Sequence, residues 1–229
     1  MNKDAVDARP VVAVTGLDVE ARIAANPGIR TLAGGGDMQR LAIALDDALA
    51  RGAAAIISFG IAGGLHASAV PGTWLVANAV VTPTSRWNVD ARWAAALARS
   101  LPGALRGDVA GSNAIVAEPA EKLALGVTTG AIAVDMESHA VAAFASAHGI
   151  PFAVFRVIAD PVTRALAPAA FHGMRADGTV NHGAVLGSVL RAPSQLPMLI
   201  RNAMDVRVAL RELSRGRRLL GPGLDYPDF

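Results

Sequence analysis

The stretch at residues 131–161, AIAVDMESHAVAAFASAHGIPFAVFRVIADP, constrains the fold more than any other part of the chain. Residues 132–134 and 152–158 are apolar, β-rich runs with little polar alternation, the pattern of strands covered on both faces. Between them, residues 136–148 are Ala-rich without internal Gly or Pro, and Gly149 stands where a helix would stop. A strand, a helix and a strand at this spacing predict a parallel crossover, because adjacent parallel strands need a connection of about a dozen residues. That geometry puts the helix start and the end of the second strand on one sheet edge, so Glu137 and Asp160 are expected to be neighbours in space. Two carboxylates at the carboxyl edge of a parallel sheet make a candidate site for a small polar ligand.

The rest of the chain continues the alternation. PVVAVT at 10–15 reads as a first strand ending at Gly16, followed by a short helix over 18–25. A brief strand at 29–33 precedes Gly34, Gly35 and Gly36, and Asp37 opens a helix to about 51. A buried strand at 54–59 runs into GIAGG at 60–64, and further strands are expected at 74–81 and 107–116 with a helix over 89–100 between them. A Pro/Gly-broken loop at 161–181 and helices near 184–190 and 194–215 complete the chain. This order predicts one α/β domain over residues 1–229, three layers around a mixed, mostly parallel sheet, with an amphipathic C-terminal helix and tail from about 194 to 229.

Composition removes several function classes. There are no cysteines, so disulfides, thiolate metal sites and thiol nucleophiles are excluded. The five histidines show no HxH or HExxH spacing, and neither a metal nor an organic cofactor is expected. A formal charge of +2 is too small to argue for nucleic acid. No apolar run reaches the roughly 18 residues of a membrane span, and MNKDAVDARP lacks the apolar core of a signal peptide, so a cytoplasmic location is expected. In the tail, Leu199, Ile200, Met204, Val208 and Leu210 recur near helical spacing with Arg201, Arg207, Arg211 and Arg215 among them. Such a helix either packs on the domain with a solvated arginine face or lies on an anionic membrane surface, at the inner face in this case.

SFGIAGGL at 58–65, AIAVDMES at 131–138 and FRVIADP at 155–161 resemble, in order and spacing, three signature segments of the purine nucleoside phosphorylase / methylthioadenosine nucleosidase superfamily. GLDVEARIA at 16–24 and QLPMLIR at 195–201 resemble its hopanoid-associated subgroup, enzymes thought to remove adenine from adenosylhopane. The resemblance implies an enzyme that cleaves the N-glycosidic bond of a purine nucleoside, here one with a bulky apolar 5′ substituent. It further implies assembly into a homo-oligomer, in an enzyme using inorganic phosphate as co-substrate.

Residue by residue, the resemblance implies Asp160 as the general acid at the purine, where burial would help the carboxyl hold a proton. Read alone, an Asp before Pro161 is equally a turn residue. Glu137 maps to the ribose carboxylate and Met136 to the side chain packed on the sugar, whereas unaided they read as a first-turn helix acid and core filler. Ile115 and Val116 correspond to the wall beside the base, Gly63 to a substrate contact, and Arg156 either to an anion contact or to a structural cation needing a partner. For the nucleophile, hydrolases of the superfamily carry a Glu just after the first strand, near Glu20, and the phosphorylase branch an Arg, nearest Arg22. Residues two apart on a helix point to different sides, so one of these two faces the site. The expectation is Arg22, with Gly16 and Gly36, as the phosphate contacts. Hydrolysis, or nucleoside binding without catalysis, remain the alternatives.

Overall fold

The computed structural model describes residues 9–35, 37–168 and 193–229. Eight strands form one mixed sheet: β1 (Val11–Thr15), β2 (Ile29–Ala33), β3 (Ala55–Gly64), β4 (Trp74–Val81), β5 (Arg86–Asn88), β6 (Leu105–Gly111), β7 (Ala133–Asp135) and β8 (Phe152–Asp160). The α-helices among the described residues are α1 (Asp18–Ala24), α2 (Met38–Ala50), α3 (Ala91–Ser100), α4 (Pro119–Thr129), α5 (Ser138–His148) and α6 (Leu196–Leu219). The α/β class and the mixed sheet are as expected. The short strand β5 and the helix α4 were not foreseen, and the helix expected near 184–190 lies outside the described residues.

Every residue of β1 is buried, and alternate side chains enter different cores. Val12 and Val14 pack with Leu41 and Leu45 of α2 and Val141 of α5, while Val11 and Ala13 join the larger core with Trp93 of α3 and Leu213 of α6. Period-2 alternation inside an all-apolar strand is what two covered faces require, and each such Val or Leu contributes roughly 1.5–3 kcal/mol on burial. Helix ends follow local chemistry: Asp37 accepts the Arg40 N–H at the start of α2 (3.0 Å), and Gly149 closes α5 with φ +63°.

The crossover differs from the expectation. β7 and β8 are not paired: both lie against β3, β8 parallel to it and β7 antiparallel. β8 also pairs antiparallel with β4, β4 parallel with β6, and β6 parallel with β7, so these four strands and β3 close into a ring. The reason is that β3 lies between them: β8 runs along one edge of β3 from Ile56 to Gly63, while the three-residue β7 meets the other edge, beyond β1, at Gly63 and Gly64. Glu137 therefore reaches the site by following an antiparallel strand, and Asp160 by ending a parallel one. A bulge between Ala62 and Gly63 advances β8 by one residue and sets Asp160 opposite Gly63.

Candidate active site

The ends of β1, β3, β7 and β8 surround a cavity of about 230 Å³. Leu17, Ile61, Ile115, Val116, Leu166 and Val206 form much of its wall, and Glu20, Asp135, Glu137, Asp160 and Arg156 are its ionisable groups. An apolar cleft with a few convergent polar groups is the usual form of a small-molecule site.

Glu20 is buried, one turn into α1. One carboxylate oxygen accepts the N–H groups of Gly16 (2.9 Å) and Leu17 (2.8 Å), and the other accepts that of Ile61 in β3 (2.7 Å). Three of about four lone-pair directions are thus taken by backbone, which leaves one for a ligand or water. Burial raises the Glu20 pKa above the usual carboxylate value, opposed by Arg156 and by the three backbone bonds. Gly60, at φ +155°, lets this happen: a Cβ there would lie 2.6 Å from the Glu20 carboxylate and 2.7 Å from the Arg156 guanidinium.

Arg156 is fully buried in β8 and ties the acidic groups together. Its guanidinium lies 2.7 Å from Asp135 and 3.5 Å from Glu137, and donates to Ser58 (2.6 Å) and, less closely, to the Ile61 carbonyl (3.4 Å). Asp135 accepts the Ser138 N–H (2.9 Å), which anchors the start of α5. Glu137 approaches Gly16 so closely that a Cβ there would lie 2.9 Å from its carboxylate. Burial, with Asp135 and Glu20 adding to it and Arg156 opposing, pushes the Glu137 pKa up to about 7.

Because protonated Glu137 is favoured by the fold, its contribution to stability is complete below the ordinary pKa of 4.5 and is lost as pH rises through about 7. Glu137→Gln, an analogue of the protonated form, is therefore expected to melt with the wild type at pH 5. At pH 8 it should melt several degrees higher, from a stability difference on the order of 2–3 kcal/mol. Thermal melts at the two pH values check this, and parallel behaviour of the two proteins at both would refute it.

Asp160, at the end of β8, is buried and ion-paired with the fully buried ammonium of Lys122. Lys122 also donates to the carbonyls of Arg164 (2.7 Å) and Pro161 (3.3 Å), so it holds both the carboxylate and the turn after it. Lys122 is the buried residue of α4, and its bonds tie that helix to the end of β8 and the turn after it. Burial raises the Asp160 pKa, with Lys122 and then Arg164 pulling it back.

The cavity wall includes Gly16, Gly63, Ile115, Val116, Met136, Glu137, Arg156 and Asp160 from the sequence expectations. Two placements depart from them. Arg22 is exposed and ion-paired with Asp18 one turn back on α1, directed to solvent and not into the cleft. Gly16 lines the cleft, but its N–H is engaged by Glu20 and is not available to an anion. Gly36 lies outside the described residues. Among site residues not singled out beforehand are Lys122, Asp135 and Asn202 of α6, whose side chain accepts the Ala167 N–H (2.9 Å) and closes the cavity. Glu20 stands three residues after the N-cap Leu17 and accepts its N–H, but leucine is not a capping residue type, so the sequence carries no capping-box signature there. The Asp18–Arg22 spacing does mark a surface i,i+4 pair.

Residues 10–191 match the model of the Phosphorylase superfamily. No curated protein matches in sequence. Solved structures similar in fold include the MTA/SAH nucleosidase of Streptococcus pneumoniae in complex with 8-aminoadenine, at 16% identity and TM-score 0.61, covering 89% of this chain and 99% of that one. A mutant of the Helicobacter pylori MTAN with 5′-methylthioadenosine in its active site is 17% identical, with TM-score 0.61 and coverage of 91% and 97%. The native futalosine hydrolase of Helicobacter pylori is 16% identical, with TM-score 0.63 and coverage of 92% and 97%. At these identities the likeness is one of fold.

Proposed function

Because the chain belongs to the Phosphorylase superfamily, we propose that its cleft cleaves the N-glycosidic bond of a purine nucleoside with an apolar 5′ substituent, and that water is the nucleophile. The observation that carries this reading is the charge around one cavity: Glu20, Asp135 and Glu137 face a single guanidinium, Arg156. A phosphate dianion brought to that end of the cleft meets three carboxyl groups and one guanidinium, with Arg22 turned away, whereas a neutral water meets a carboxylate with one free lone pair. The structures similar in fold include proteins named nucleosidases and a hydrolase, which supports the same choice.

In this mechanism the C1′–N9 bond breaks with its electron pair leaving on the purine, and Asp160 gives a proton to N7 to neutralise it. Glu137 accepts hydrogen bonds from the ribose hydroxyls and lies near the positive charge that develops on the sugar. Water adds its oxygen to C1′ and passes a proton to Glu20. The products are the free base and the free sugar. Leu17, Leu166 and Val206 form an apolar part of the wall suited to the 5′ substituent. Methylthioadenosine and adenosylhopane both meet that description, the second as the resemblance to the hopanoid-associated subgroup implies.

Base release from each nucleoside, measured with and without inorganic phosphate, tests the reading. We expect equal rates in both buffers and a reducing sugar without phosphate ester as co-product. A rate that rises with phosphate, with a sugar 1-phosphate formed, establishes phosphorolysis instead. No base release from any purine nucleoside, with binding retained, establishes a nucleoside-binding protein.

A further inference from the structure

Helix α6 carries a surface that the cleft does not use. Leu196, Ile200 and Met204 are 44%, 52% and 63% exposed, and Arg207, Arg211 and Arg215 are exposed as well. Residues four apart drift about 40° around a helix of 3.6 residues per turn, so both trios fall within one arc of roughly 100°. The outer face of α6 is therefore segregated along its axis, apolar in the first turns and cationic in the following ones. The helix's two acids do not neutralise the arginines of that arc as a group: Asp205 is ion-paired with Arg164 on the domain, and Glu212 contacts Arg215 alone (3.4 Å). The side chains of Arg207 and Arg211 form no ion pair or hydrogen bond with a described residue. The buried side of the same helix, at Ala209, Leu213 and Gly216, is packed on the domain, so the outer arc is not the helix's folding face.

We propose that this face docks the protein on an anionic phospholipid bilayer. Apolar side chains in the first turns suit insertion below the headgroups, and the arginine ladder suits their phosphates, where long guanidinium side chains extend readily. Charge complementarity selects this occupant. A second copy of the chain, packed across a two-fold axis, would bring an arginine ladder with no facing acid to the apolar or the basic half of its mate. Nucleic acid would use the arginines and leave Leu196, Ile200 and Met204 in water. On its inner flank α6 supplies Asn202 and Val206 to the cleft, so docking brings the cleft within about one helix diameter, ~10 Å, of the lipid. The surface stands independently of the reaction proposed for the cleft.

The test is co-sedimentation of the full chain with phosphatidylcholine vesicles, with and without one-third phosphatidylglycerol. The protein is expected on the anionic vesicles alone and to leave them in high salt. Each arginine near such a surface contributes about fivefold, so Arg207→Ala/Arg211→Ala should lower the partition coefficient on the order of 25-fold. Ile200→Ser/Met204→Ser, with all charges kept, should lower it roughly tenfold or more. Wild-type protein that stays in the supernatant, equal binding to neutral vesicles, or unchanged binding of either double variant overturns the proposal. So does a dimer that either double variant separates in the absence of lipid. Base release from a water-soluble nucleoside should be the same in both variants as in the wild type, which keeps the vesicle result separate from the catalytic reading.

Discussion

Asp160→Asn is expected to lower the rate of base release by ~100- to 10,000-fold, the range a positioned acid commonly contributes. The asparagine keeps the shape of the side chain and removes the proton that the departing purine needs. It also removes the partner of Lys122, whose ammonium is fully buried, and breaking a buried ion pair from one side costs about 3–5 kcal/mol. A loss of activity in this variant alone would therefore mix chemistry with stability. Asp160→Asn/Lys122→Met separates them, since it withdraws both charges together and leaves no unpaired ammonium. The double variant should recover most of the melting temperature and none of the turnover. Lys122→Met alone should retain activity with the acid's pKa moved further up, because the cation that holds it down is gone. The limb of the pH–rate profile that reports Asp160 then moves to higher pH. Turnover restored in the double variant, or a profile that does not move in Lys122→Met, would remove Asp160 from the chemistry.

Glu20→Gln is the second large effect, and its sign depends on the nucleophile. If Glu20 takes a proton from water, the amide cannot, and turnover falls by ~100-fold or more with a small change in KM. If phosphate were the nucleophile, removing a negative charge from that end of the cleft would strengthen phosphate binding and raise the rate at low phosphate. The two outcomes differ in direction, so a single substitution assayed in both buffers decides between them. The variant has a structural consequence of its own. Both Glu20 oxygens accept backbone N–H groups, so the amide nitrogen must face one of them and leave it unpaired, at about 1–3 kcal/mol. The raised pKa of this buried carboxyl works in the opposite direction, so Glu20→Gln should remain folded with little net change in melting temperature, and circular dichroism establishes that before rates are compared.

The site was legible in the sequence to the extent that it follows the ends of strands. Glu137 after β7 and Asp160 at the end of β8 line one cavity, although the crossover that was expected to bring them together is absent. Their approach survives because both strands pair with β3, on opposite sides of its glycine-rich end. The expectation from sequence favours Arg22 over Glu20 at the cleft, and the structure places them the other way: three N–H groups converge on position 20, and Asp18 holds Arg22 in solvent. Lys122 gave no signal, since the helix that carries it was not foreseen and a lone lysine reads as a solvated residue until its ammonium is brought to Asp160 at the end of β8.

Strand and helix alternation, both buried faces of the sheet and the acids at strand ends were determined by the sequence alone, since these depend on periodicity and on neighbours along the chain. The closing of four strands with β3 into a ring, the pairing of Arg156 with Asp135 and of Lys122 with Asp160, and the inward turn of Glu20 were decided only by the tertiary structure. The physical reason is the range of the interactions. Hydrophobic period is a local property, whereas the partner of a buried charge is whichever opposite charge the packing brings within a few ångströms, and no spacing along the chain encodes that distance.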